Sequence, residues 1–109
     1  MNIVDSLCTT KTEEDKEIKY IYRVTKEYFN ESQAYGIEVE RLDLKCGRVV
    51  NIERDEIRLI SNNRFKVSEL MRMLHKHQVS PIHLVDILGE YVDEYVYDFD
   101  ELEGQQVIN

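Results

Sequence analysis

From residue 17 onward the chain alternates. Ile18, Tyr20, Tyr22 and Val24 occupy every second position, against Lys19, Arg23 and Thr25. A period of two marks a strand with one buried face, and aromatic and β-branched side chains suit it. After Phe29, the run Asn30-Glu31-Ser32-Gln33 supplies turn chemistry, and Tyr35, Ile37 and Val39 then alternate with Gly36, Glu38 and Glu40, which predicts a hairpin. Lys45-Cys46-Gly47-Arg48 reads as the next reversal, because Gly47 takes a positive φ at little cost. Two shorter strands are expected over 49–53 and 56–60, joined at Arg54 and Asp55.

At Ser61 the period changes to 3.6. Ser61, Asn62 and Asn63 are all suitable N-caps, and Val67, Leu70, Met71 and Leu74 follow at helical spacing. A helix is predicted over about 63–77. Ser80-Pro81 starts a second one, with Pro81 at the first helical position, where a missing N–H is harmless. Its apolar stripe is Ile82, Val85, Leu88 and Val92, widened by Leu84, Tyr91 and Tyr95, and it should end near Glu94. Strands followed by helices, rather than alternating with them, indicate an α+β fold: an antiparallel meander of three to four strands, then two helices packed on one face. Residues 1–16 lack an apolar period and carry the polar run Thr10 to Lys16, so they are expected to form a disordered tail. The domain organisation expected is a tail over 1–16, one domain over 17–95 and an acidic tail over 96–109.

Charge sharpens this picture. Between Asp86 and Glu103 lie eight acidic residues and no Lys or Arg, while the remaining 14 acids balance all 14 bases. The net charge of −8 therefore resides in one stretch. Concentrated negative charge repels phosphate backbones and anionic lipid, which argues against direct nucleic-acid or membrane binding and favours a basic partner. Neither a signal peptide nor a run of roughly 20 apolar residues is present, so a cytoplasmic location is expected. The two cysteines, Cys8 and Cys46, do not make a disulfide scaffold.

Candidate chemistry is sparse. His75, His77 and His83 lie close together, but positions 75 and 77 are about 200° apart on a helix, whereas a helical metal pair needs i, i+3 or i+4 spacing. His75 and His77 are expected to be exposed at the end of their helix. His83 suits a capping-box role, its side chain returning to the Ser80 backbone. The chain has no Gly-rich phosphate loop, GxSxG, HExxH or CxxC motif, so no catalytic residue, metal or cofactor is expected, and the chain is read as a non-enzyme. The tyrosines offer more. From Tyr95 the segment Tyr-Val-Tyr-Asp-Phe-Asp-Glu interleaves aromatic and acidic residues, a pattern that docks rings while neutralising a basic surface.

Two segments, Tyr35-Gly36-Ile37 and Ser80-Pro81-Ile82-His83-Leu84-Val85-Asp86-Ile87-Leu88, resemble those of an uncharacterised family of small clostridial proteins, with similarity over 20–95. The resemblance implies a bacterial cytosolic origin and a recurring helix start containing His83 and Asp86, and it carries no activity, cofactor or substrate. Gly89 departs from the helical pattern and is read as a close approach or a bend.

The function expected is a protein-interaction or regulatory module that meets a basic partner through Tyr95, Tyr97, Asp98, Phe99, Asp100 and Glu101. The alternative is a small-molecule or metal-binding domain built on the helix start at His83. A homodimer, through an edge strand or the open sheet face, is compatible with either.

Overall fold

A computed structural model describes residues 2–108, with side chains through residue 99. Strands β1 (Asn2–Glu13), β2 (Lys16–Phe29), β3 (Ser32–Lys45) and β4 (Arg48–Ser61) form one antiparallel sheet in chain order. Helix α1 (Arg64–Lys76), a 3₁₀ turn (Pro81–His83) and helix α2 (Leu84–Ile108) follow. The α+β class, the meander and the succession of two helices are those the periodicity predicts.

The alternation in β2 places Ile18, Tyr20, Tyr22 and Val24 on the helix side, where they meet Ile37 and Val39 of β3. Val67, Leu70, Met71 and Leu74 of α1 and Leu84 and Leu88 of α2 close the core over them. Tyr22 anchors the link between the helices. It is fully buried, its hydroxyl donates to the Val79 carbonyl at 2.9 Å, and the His75 ring meets it edge-on at 5.9 Å. Burial, and then the neighbouring Tyr20, push the Tyr22 pKa up, so the phenol remains a donor.

Both later hairpins use two-residue loops with positive φ, Asn30 (50°) with Glu31 (63°) and Cys46 (52°) with Gly47 (77°), which matches the strand twist. Gly36 has a different purpose. A Cβ there would lie 2.6 Å from the carbonyl carbon of Arg58, so β3 and β4 approach closely only because the side chain is absent. The irregular register between Tyr35 and Ile37 falls at this point.

Three expectations are corrected. The N-terminal segment is not a disordered tail: β1 pairs with β2 from Asn2↔Lys26 to Glu13↔Lys16. Only Val4 and Leu7 of this strand pack against the core, because an outer strand with one face in solvent needs few apolar residues. Side chains of α1 cover its outer edge, Arg64 donating to the Val4 carbonyl at 2.8 Å and the His75 ring pairing with the Cys8 carbonyl at 3.1 Å. His75 is thus engaged rather than free. The two short strands expected on either side of Arg54 and Asp55 are one 14-residue strand, β4. Finally, α2 continues to Ile108, so residues 96–108 are helix rather than tail.

Charged side chains on the face away from the helices are matched across strands. Arg23 binds Glu38 at 2.6 Å and Glu40 at 3.5 Å, Arg54 binds Glu40, and Arg58 binds Glu27 at 2.5 Å. Burial works against ionisation of Glu40, but hydrogen bonds and charge from Arg54 and Arg23 outweigh it and hold its pKa below the ordinary value.

Candidate functional site

The outer side of α2 carries the features that the rest of the molecule does not use. Leu84 and Leu88 are fully buried, and Tyr91, Val92 and Tyr95 pack partly against the core, so one arc of the helix faces the sheet. At about 100° per residue, Asp86, Glu90, Asp93, Glu94 and Tyr97 share the opposite, exposed arc. Among the described residues no salt bridge joins any of these four acids. Several acids elsewhere are neutralised within the fold. Asp43, for example, is buried and accepts from Arg41 at 2.8 Å and Asn51 at 3.3 Å, with Lys16 at 3.6 Å. The Arg41 hydrogen bond, against the opposing effect of burial, holds its pKa below the ordinary carboxylate value.

The structure divides the acidic aromatic segment between two faces. Asp98 turns inward, accepting from Lys66 Nζ at 3.0 and 3.1 Å and from the Ser61 hydroxyl. Its backbone carbonyl accepts from Asn62 at 3.3 Å. The Phe99 ring meets Phe29 edge-on at 5.7 Å, and the Lys66 ammonium lies 4.8 Å from the centre of the Tyr95 ring. Tyr95 and Asp98 therefore fasten α2 to the end of β4 and the start of α1, and Phe99 fastens it to the end of β2. Tyr97, 65% exposed, is the candidate that points outward. Asp100 and Glu101 lie on the helix, their side chains outside the described residues.

His83 stands apart from this group, exposed in the 3₁₀ turn. Its contact with Ser80 runs through the backbone, its N–H donating to the Ser80 carbonyl at 3.0 Å, so the capping-box reading of its side chain is corrected. The Ser80 hydroxyl does not cap either and sits 3.3 Å from the Tyr20 hydroxyl. Among the described residues no three His, Cys, Asp or Glu side chains assemble into a metal-binding group.

A second element of this surface escaped the sequence reading. Between α2 and β4 runs an apolar cleft of about 300 Å³ lined by Ile57, Val85, Gly89, Val92 and Asp93. A neighbouring one of about 420 Å³ is lined by Ile52, Glu53, Arg54, Asp55, Pro81 and Ile82. Ile82 and Val85, assigned above to the core stripe, are 69% and 55% exposed along this flank. The signal was present: positions 82, 85, 89, 92 and 96 follow a 3-4-3-4 spacing, a second stripe beside the buried one. Gly89 interrupts it and conceals it. Nothing in the fold lies within 4 Å of a Cβ placed there, so Gly89 marks no close approach and opens the floor of the cleft.

Among the described residues no helix is long and apolar enough to cross a membrane. No curated protein and no solved structure matches the chain. A family model matches residues 1–94, a span that takes in β1 as well as the strand and helix-start motifs, and the chain belongs to that family, a family of unknown function (DUF6514).

Proposed function

We propose that the protein is a non-enzymatic interaction module that binds a basic protein surface through the outer face of α2. One observation carries the reading. Asp86, Glu90, Asp93, Glu94 and Tyr97 form an exposed row in which, among the described residues, none of the four acids is joined by a salt bridge, within a stretch from Asp86 to Glu103 that contains no Lys or Arg. Unpaired charges of one sign on a single face raise the local concentration of opposite charge and steer its approach. An aromatic ring within such a row supplies apolar contact area at low entropic cost. The inward-facing Asp98 and Phe99 support this surface by holding the helix and do not themselves present to a partner.

The test is affinity capture from the native host with the intact chain and with the variant Asp86→Asn/Glu90→Gln/Asp93→Asn/Glu94→Gln, washed at low and high salt. These exposed positions leave the core and the Asp98 anchor untouched. A partner retained by the intact chain, released by salt and lost by the variant supports the reading. Equal retention by both chains refutes it.

A further inference from the structure

We propose that the free edge of β4 accepts an extended segment of the basic partner as a fifth strand, with alternate side chains entering the two clefts beside α2. This rests on the interaction reading above and specifies its site. The two edges of the sheet differ. At β1, Arg64 and His75 occupy outward carbonyls and the Asp5 carboxylate accepts from the Ser6 N–H at 2.9 Å. At β4, among the described residues, only the Glu56 N–H is similarly covered, by Asp55 at 2.9 Å. Among the described residues its one strand partner is β3, and no other backbone-to-backbone hydrogen bond reaches it. An uncovered edge of this length is a template for another strand.

The clefts set what that strand contains. Glu53, Asp55 and Ile57 lie on the helix side of β4, since they pair with Arg41, Val39 and Ile37 of β3. The clefts are centred near Glu53 and Ile57, roughly 13 Å apart along a strand at about 3.3 Å per residue, so they receive side chains at i and i+4 on one face. The first cleft has an apolar wall, Pro81 and Ile82, and acidic groups, Glu53 and Asp55, while Arg54, also in its lining, is held by Glu40 on the opposite face of the sheet. A Lys or Arg fits it, with the stem on the wall and the cation at the carboxylates. The second, floored by Ile57, Val85 and Val92 and opened by Gly89, takes an apolar side chain. Main-chain bonds supply affinity and the alternate pockets supply specificity. The same acids disfavour a second copy of this chain, which would bring Asp93 and the α2 row against their own likeness.

The test selects a displayed random nonapeptide library on the full chain and measures the enriched peptides by fluorescence anisotropy and by amide exchange. Expected are peptides with a basic and an apolar residue four apart, protection of β4 amides on binding, and at least tenfold weaker binding to Gly89→Leu. That variant places its side chain where the fold leaves space and exchanges glycine for a better helix former, so it should fold at least as well. Peptides that bind Gly89→Leu unchanged but lose affinity for the Asp86/Glu90/Asp93/Glu94 variant overturn the fifth strand and leave the interaction reading intact. Failure of any basic peptide to enrich overturns both. A concentration-dependent dimer in light scattering, abolished by Gly89→Leu, overturns the choice of occupant in favour of a second copy.

Discussion

Two glycine-to-alanine substitutions should move stability in opposite directions. At Gly36 the new Cβ would lie 2.6 Å from the Arg58 carbonyl carbon and still nearer the carbonyl oxygens of Ile57 and Arg58. Ordinary contact begins at 3.4 Å, so the strands must part by about 1 Å at a point where rigid backbone cannot yield locally. Overpacking costs about 1–3 kcal/mol, and the weakened pairs at Tyr35↔Ser61 and Ile37↔Ile57 add about 1 kcal/mol. The reduced entropy of the unfolded chain returns about 0.4–1 kcal/mol. The net loss is roughly 2–3 kcal/mol, a large share of the roughly 5–15 kcal/mol that holds a domain together. At Gly89 nothing meets the Cβ, and alanine should gain up to about 1 kcal/mol of helix propensity. With roughly 4–8 °C per kcal/mol for a domain of this size, thermal unfolding followed by circular dichroism should show Gly36→Ala melting about 10–20 °C lower and Gly89→Ala a few degrees higher. A Gly36→Ala protein that melts with the parent would refute the close-approach argument.

Tyr22→Phe should cost about 1–2 kcal/mol in urea unfolding, because it strips the Val79 carbonyl of its buried donor without opening a cavity; an unchanged midpoint would show that the bond contributes nothing. Stability should also decline in acid. Glu40 and Asp43 have folded pKa values below their ordinary ones, so their contribution is complete above the unfolded pKa of about 4 and is lost as pH falls through the folded values. Urea midpoints between pH 7 and 2 should fall more steeply for the parent than for Glu40→Gln/Asp43→Asn, and equal slopes would assign the acid sensitivity to other groups.

The elements most legible in the sequence are those whose burial is one-sided. Ile18 to Val24 and Val67 to Leu74 announce their periods because one face of each meets the core and the other meets water. β1 does not, since an outer strand buries too little to impose alternation, although Ile3, Val4 and the threonines at 9, 10 and 12 are β-branched. The far half of α2 reads as a tail because its four acids, the end of a run of eight without a base, look like solvated chain, and the compensation for Asp98 comes from Lys66, more than 30 positions away. The site suffered in the same way. The rings and carboxylates near Tyr95 were visible, yet which of them point outward depends on the Asp98 anchor, and the cleft depends on bringing Ile57 beside Gly89.

The bond from Tyr22 to the Val79 carbonyl has a further consequence. It pins the short link between the helices to an inner strand, so α2 leaves that link in a direction set by the sheet rather than by the loop. With Asp98 held at the other end of its covered length, the helix is tethered at two points about 20 residues apart. A flank held at both ends offers an arriving segment a surface already in place. The ordering entropy of association then falls almost wholly on the guest.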